Sequence, residues 1–406
     1  MAAGRRAFAH WDLSATVNLL SRAADLFAPG DPSRLEVLPD LGMALAQSDI
    51  PRADVVLTEA IEAARAKGDR RLEARAGVRR VFVRLLLDPQ ISQGQSLMEV
   101  ERYVRLFEDW ADDLGLAEAR VLVGTIRMWQ GRAAVAEESL ERAIAHARRA
   151  RNRRQEAEAL RWLAVVILLG PIPAEEGIRR LESILDQGRG DRRVEIAVTR
   201  TRAELEAMRG RFERARELIT RAKTLARELG DLVGVAGVLR HSGAVEMLAG
   251  DPVGAEKDLR AGYEILDRIS DFGHLSSLAP DLGDAVYAQG RHDEAFRLAE
   301  GAEKITIKGD VDAGVRWRQL RAKALARLGL YDEAEHHATE AVRLASATDL
   351  LNLHAQAMVA LTEVLRLAGR KSDAASALKT ALDLHQQKGN IVAEARAASP
   401  LDELGG

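Results

Sequence analysis

A glycine returns in this chain at a nearly constant interval: Gly131, Gly170, Gly210, Gly250, Gly290, Gly329 and Gly369, spaced by 39, 40, 40, 40, 39 and 40 residues. A fixed period of this size is the mark of stacked supersecondary units, each hiding its apolar face only against its neighbours. Small residues move with this ruler. Five positions after the glycine stand Ala136, Ala215, Ala255, Ala295, Ala334 and Ala374, and seven further on Ala143, Ala222, Gly262, Ala302, Ala341 and Ala381. Twelve before the first alanine stand Gly124, Ala203, Gly243, Gly283, Ala322 and Thr362. Three small positions at fixed offsets let two helices cross closely, within a hairpin and against the next one.

Helix ends are written into the same frame. The ruler glycine suits a helix C-terminus that needs positive φ, and Asp251-Pro252 follows one of them as an N-cap with proline at the first helical position. About twenty residues later come Gly230-Asp231, Ser270-Asp271, Gly309-Asp310, Thr348-Asp349 or Gly389-Asn390, a pair that closes one helix and caps the next. Gly68-Asp69 plays this part earlier. Each unit is thus a helix A of about eighteen residues, a tight turn and a helix B of about sixteen. Hairpins near Thr16/Ala23 and at 33–68, a looser unit at 88–115 and an irregular turn at Gly170-Pro171-Ile172-Pro173 bring the count to ten, with residues 391–399 as a closing helix. The expectation is an all-α, right-handed α-solenoid: 1–129 less regular, 130–390 regular, 391–406 closing helix and tail.

Composition agrees. Apolar residues make up 47% and charged residues 30% of 406, yet aromatics only 4%, as in repeated helices rich in Ala, Leu, Glu and Arg. A net charge of -3 gives no general reason to expect nucleic acid or an anionic membrane as partner. With no cysteine, disulfides, thiolate metal sites and cysteine nucleophiles are all excluded. No signal-peptide h-region follows Met1, and the longest apolar run, Leu163 to Leu169, is too short to span a bilayer. A cytoplasmic location is expected.

The small residues twelve and seven apart, with Leu and Ile between them, resemble the tetratricopeptide repeat, with a period of forty in place of thirty-four and a Gly-Asp pair where helix B usually ends in proline. Longer-helix repeats of this kind resemble those of maltose-regulator-type activators. The segments Val17-Asn-Leu-Leu-Ser-Arg-Ala-Ala24 and Gln387-Lys-Gly-Asn-Ile-Val-Ala-Glu-Ala-Arg396 resemble the C-terminal repeat region of actinobacterial proteins. In those, a class III nucleotide cyclase or a helix-turn-helix domain precedes an AAA-type ATPase and then the repeats. The resemblance implies a regulatory arm that binds a protein or peptide, other domains of its own full-length chain included. A small-molecule effector is the alternative, and a helical-repeat nucleic-acid binder the third. It also implies a binding groove on helix A. Counted three before, one after and four after its small residue, the groove residues are Arg200, Glu204, Arg240, Asp284, Tyr287, Gln319 and Lys323, on the open wall of the array.

There is no Gly-x-x-x-x-Gly-Lys-Ser/Thr phosphate loop and no His-Glu-x-x-His. His336-His337 with Glu340 is the nearest approach to a helical metal site, but adjacent histidines point apart on a helix. Asp310-Val-Asp312-Ala-Gly314 begins like a calcium loop yet has Arg321 at its twelfth position, and Arg189-Gly190-Asp191 falls at a hairpin turn. No enzyme activity, cofactor or metal is expected. One charge feature stands out: from Arg148 to Arg227 there are twenty Lys/Arg against twelve Asp/Glu, densest at Arg148, Arg149, Arg151, Arg153 and Arg154. Solvated arginines at helix C-termini account for such a run. Trp129, Trp162 and Trp317 fall in helix A as space-fillers between hairpins.

Overall fold

The computed structural model describes residues 2–9, 11–28 and 31–399, so positions 400–406 of the expected tail lie outside the described residues. Ten helical hairpins follow one another: α1 (Ala2–Ala9) with α2 (Leu13–Asp25), α3 (Pro32–Leu45) with α4 (Ile50–Lys67), α5 (Arg70–Leu87) with α6 (Gln93–Asp109), α7 (Asp113–Trp129) with α8 (Ala133–Arg149), and α9 (Arg153–Leu169) with α10 (Ala174–Gln187). Then come α11 (Arg192–Met208) with α12 (Phe212–Leu229), α13 (Leu232–Ala249) with α14 (Pro252–Arg268), α15 (Phe272–Ala288) with α16 (His292–Ile305), α17 (Val311–Arg327) with α18 (Tyr331–Ser346), and α19 (Leu351–Leu367) with α20 (Lys371–Lys388). A short α21 (Ile391–Ala398) closes the array. The fold is an all-α solenoid. The described residues contain no strand, only an isolated bridge between Ser92 and Lys308.

Most of the punctuation works as the repeat frame requires. Six of the seven ruler glycines adopt φ between 71° and 85°, and Gly68, Gly230 and Gly389 end their helices in the same left-handed region, whereas α16 ends earlier, at Ile305, and Gly309 with φ 97° lies in the link that follows. Asp69, Asp231, Asp251, Asp271, Asp310 and Asn390 each accept the N–H three residues on, capping the next helix. The alanines at the two later small positions are buried to the last per cent: Ala136, Ala215, Ala255, Ala295, Ala334 and Ala374 have no exposed surface. A side chain on Gly124 would put its Cβ 2.8 Å from Leu140 Cγ, and one on Gly243 would overlap Leu259. The close crossing of helix A with helix B therefore depends on these small residues.

Three expectations need correction. The stretch 88–115 is not a unit: it holds the single helix α6, which pairs with α5 because Gly68-Asp69 has already opened a helix A at Arg70. Gly170 is extended, with φ -66° and ψ -179°, since the following proline excludes the helical region for the residue before it. Asp349 does not cap the helix after it. Its carboxylate reaches back to α8 and accepts from Ala133 N at 2.7 Å and Ala134 N at 2.9 Å.

That last contact belongs to a set. Asp349 N also donates to the Gly131 carbonyl (3.2 Å), and Gln93 N donates to the Lys308 carbonyl (3.0 Å). Lys388 Nζ donates to the carbonyls of Gly170 (2.7 Å) and Ile172 (3.0 Å), and Trp11 Nε1 donates to Asp231 (3.2 Å). All join residues 215 to 220 positions apart, about five and a half repeats of forty. Consecutive turns of the superhelix therefore stack directly on one another. The apolar core is continuous across the seam, running from Leu20 to Met208 and taking in Ile307, Val315, Ala345, Leu350 and Leu353. The accessible surface, 16923 Å², is close to the roughly 15,600 Å² that a compact monomer of this mass exposes. The open wall expected of an extended array is closed in.

By length and composition alone α13 is, among the described residues, the one helix able to cross a bilayer. It carries Arg240, His241 and Glu246 and packs as a helix A between α11 and α15.

Two substitutions test the frame and the seam. Gly243→Leu is expected to destabilise by more than about 3 kcal/mol, the upper range of overpacking, whereas Gly301→Ala on the open face of α16, where an added Cβ meets nothing, should hold or raise the melting temperature. Equal melting of both variants would show the phase to be wrong. Asp349→Ala should cost about 1–2 kcal/mol, as an N-cap does, and speed amide exchange at the start of α8, a helix far from it in sequence.

Candidate functional site

Helix A of successive hairpins lines the inside of the superhelix, and two adjoining cavities lie there, of about 190 Å³ and about 820 Å³. They share Val165, Leu169, Arg240, His241 and Asp312 in their walls. Of the expected groove residues, Arg200 lines the smaller cavity, Glu204, Asp284, Gln319 and Lys323 the larger, and Arg240 both. Tyr287 lines neither. It is 9% exposed, its hydroxyl donating to Glu363 (2.6 Å) and accepting from Arg327 Nε (2.9 Å). Burial and the Glu363 carboxylate push its pKa well up.

Apart from Arg200, the rest are held by partners from neighbouring repeats. Arg240 Nε donates to Asp281 (2.6 Å), with Asp312 3.8 Å from its other end. His241 Nδ1 lies 2.7 Å from Glu204, and Lys323 Nζ donates to Asp284 at 2.6 Å. Gln319 is buried and donates to the Leu353 carbonyl (3.3 Å). Burial lowers the His241 pKa more than Glu204 raises it, which favours the neutral ring. The expectation that Arg200 and Arg240 stand free on an open wall is therefore corrected: both are substantially enclosed, and reversing the charge of Arg240 would break its pair with Asp281 and cost stability as well as binding.

The central basic surplus is a solvated face only in part: Arg148, Arg149, Arg151 and Arg153 are exposed around the turn between α8 and α9. On the outside, Arg148, Arg149, Arg179, Arg180, Arg192 and Arg221 pair with Glu156, Asp113, Glu176, Glu137, Glu228 and Glu195. Arg154, Arg161, Arg193 and Arg200 turn inward and line the smaller cavity. Arg154 lies 4.3 Å over the Phe8 ring and Arg193 4.3 Å over Trp11. Trp129 and Trp162, read as spacers, form part of the same wall with His274, which stacks on Trp162 at 6.5 Å. The signal for the arginines was in the ruler: Arg161, Arg200 and Arg240 recur at 39 and 40 residues, and Arg154 and Arg193 at 39.

Asp310 and Asp312, the false calcium loop, serve the helix α17 and its neighbours. Asp310 caps Ala313 N at 3.0 Å, and Asp312 takes Arg316 Nε at 3.0 Å on both oxygens. Among the described residues no three His, Asp or Glu side chains converge on a metal position. Arg189-Gly190-Asp191 forms a turn with Gly190 at φ 89°, and Asp191 caps α11.

No family model matches the chain, and no curated protein matches it. Solved structures similar to it are helical-repeat proteins. A Rap protein complexed with competence and sporulation factor aligns over 91% of this chain and 97% of its own, at 15% identity and a TM-score of 0.52. Yeast Tom70 aligns over 99% and 87%, at 12% identity and 0.43. A signal transduction ATPase with numerous domains and a tetratricopeptide repeat sensor, from Pyrococcus horikoshii, aligns over 92% of this chain but 55% of its own, at 16% identity and 0.46. At these identities the likeness to the Rap protein shows the fold, a tetratricopeptide-like solenoid.

Asp310, buried beside Asp312 of the enclosed wall, supplies a pH test. Burial first, and the Asp312 charge second, raise its pKa from 3.8 to about 7. Between those values the folded protein keeps a proton that the unfolded chain gives up, so stability falls as pH rises through that window, at most about 1.4 kcal/mol per unit. Asp310→Asn keeps a capping oxygen and removes the titration. Its stability relative to the parent should improve steadily from pH 4 to pH 7 and then level off in denaturant titrations.

Proposed function

We propose that this protein is a regulatory scaffold that takes an extended segment of a protein or peptide into the lumen of its superhelix, as the sensor arm of a larger bacterial signalling protein. The observation that carries this reading is the position of the groove residues. Paired charges from consecutive repeats face adjoining cavities bounded by stacked turns, not a broad concave surface. Such a space excludes a folded domain and admits a narrow chain. Its wall offers donors and acceptors at each repeat (Glu204, Asp284, Gln319, Lys323), which suits a backbone whose polar groups recur along its length. The end segments that resemble ATPase-linked regulators support the placement in a larger protein, whose own domains are then candidate partners.

A small-molecule effector is the second reading, favoured by the larger cavity, whose volume of about 820 Å³ lies within the range of roughly 300–1,000 Å³ usual for such pockets. Nucleic acid is not favoured, because the basic surplus between Arg148 and Arg227 is largely spent in ion pairs or turned inward and leaves no stripe for a phosphate backbone.

Selection of linear peptides on the immobilised protein, followed by calorimetry, tests the reading beside a thermal-shift screen of metabolites. A selected peptide should lose at least tenfold in affinity, about 1.4 kcal/mol, with Glu204→Gln and with Lys323→Met. Metabolite hits without peptide hits would favour the effector. A partner whose binding ignores both variants would move the interface to the outer face.

A further inference from the structure

The smaller chamber holds more positive charge than its carboxylates neutralise. Six arginines line it, against Glu118, Glu158 and Asp312; of the six, Arg193 is paired with Asp191 (3.0 Å) and Arg240 with Asp281 (2.6 Å) outside the lining. Each of those three carboxylates is already engaged: Glu118 by Arg75 (2.9 Å) and Arg79 (2.8 Å), Glu158 by Arg161 (3.2 Å), and Asp312 by Arg316 (3.0 Å). Arg154 finds only Asp40 at 3.9 Å, a group that Arg79 holds more closely at 3.1 Å. Arg200 has no ion-pair or hydrogen-bond partner among the described residues, and its Nε is buried without one. Room for it is nonetheless provided: a Cβ on Gly237 would overlap Arg200 Nη1. Burial, together with the neighbouring arginines, holds both guanidinium groups down to about 10. Much of the rest of the wall is apolar and aromatic, with Phe82, Leu122, Trp129, Trp162 and Val165, and Gln155, His274 and Ser277 add neutral polar groups. Phe8, on the N-terminal helix, lies under Arg154 and roofs the chamber.

We infer that this chamber receives the anionic head of the lumen's occupant, a carboxylate or phosphate on a short apolar stem, which Arg154 and Arg200 bind. The inference rests on the lumen reading above and names its chemistry. A buried guanidinium without a counter-charge is costly, and an entering anion offsets that cost with charge-assisted hydrogen bonds, which Arg makes in planar, two-pronged form. A volume of about 190 Å³ suits a head and its stem. The remainder of the occupant continues past Arg240 and His241 into the larger chamber, which shares those residues.

Trp11, Trp129 and Trp162 border the chamber, so tryptophan emission reports its occupancy. The full chain would be titrated with phenyl phosphate, 3-phenylpropionate and the neutral 3-phenylpropanol, and with a lumen-binding peptide as its free acid and its C-terminal amide. A saturable change with either acid, at least tenfold weaker in Arg154→Gln and Arg200→Gln and absent with the alcohol, is the expected result. The preferred acid, and the loss on amidation, tell a phosphate from a carboxylate and a free ligand from a peptide end. Gly237→Ala, which displaces the Arg200 head, should weaken binding in the same direction. Without ligand, Arg200→Gln should melt no lower than the parent, because it removes a charge that no side chain pairs with. Equal response to the alcohol, undiminished binding of the acids by both glutamine variants, or a melting temperature of Arg200→Gln well below the parent would overturn the inference. A peptide that needs Glu204 and Lys323 but is indifferent to Arg200 and Arg154 would overturn it while leaving the lumen reading intact.

Discussion

The seam between successive superhelical turns is the constraint on which the rest depends. Every helix end leaves backbone groups without an intrahelical partner, and in most units a local cap supplies one. At two turns this chain instead satisfies them from the far end of the sequence. Asp349 takes the N–H groups of Ala133 and Ala134, and the ammonium of Lys388 fills the space left by the carbonyls of Gly170 and Ile172. Lys388 has no exposed surface, and burial lowers its pKa to about 8. A buried ammonium is tolerated only where such acceptors are fixed in place. Because these contacts set the spacing between turns, helix A faces a bounded space, and burial of its charged residues follows.

Inside that space the electrostatics divide. Around the larger chamber most charges have an opposite neighbour: Arg240 with Asp281, Arg316 with Asp281 and Lys323 with Asp284 across adjacent repeats, and Arg316 with Asp312 one turn away on its own helix. Ion pairs of this spacing tie adjacent hairpins together as well as presenting polar groups to the lumen. Exposed pairs such as Arg189–Asp186 contribute at most about 1 kcal/mol, whereas the enclosed ones fix side-chain direction in a low-dielectric setting. The smaller chamber breaks the pattern with Arg154 and Arg200, and the break lies beside aromatic walls.

What could be read in the sequence is what repeats locally. The glycine ruler located both the turns and the closely packed positions, because positive φ at Gly250 and the contact of Gly243 with Leu259 are demands made within one hairpin. The count of ten hairpins followed from the same demands. Two departures had local causes: Pro171 removes Gly170 from the left-handed region, and α5 ends at Asp88 without a glycine, so the third hairpin had no ruler mark. Closure of the lumen was not legible. It is the sum of small rotations between hairpins, and no window of forty residues records that sum. Thr348-Asp349 has the spelling of a local cap, yet the stacking of turns gives its carboxylate a distant helix. The groove residues were found by phase, but their enclosure depends on the seam. The arginine ladder of Arg161, Arg200 and Arg240 was visible in the same phase and was hidden by reading the surplus as surface charge.

Stacked turns also change how such a molecule comes apart. A linear array, in which each unit touches only its neighbours, unfolds from its ends one repeat at a time, and its stability grows with each unit added. Here Gln93, Gly131 and Gly170 are bonded to Lys308, Asp349 and Lys388, so the closing repeats stand in contact with the middle of the chain. These links raise the contact order of an otherwise local fold and place a loop-closure cost before the last gains in energy. The C-terminal hairpins thus act as a lock on a spring: their release frees the central repeats together, and the chain behaves as one cooperative body with a single seam.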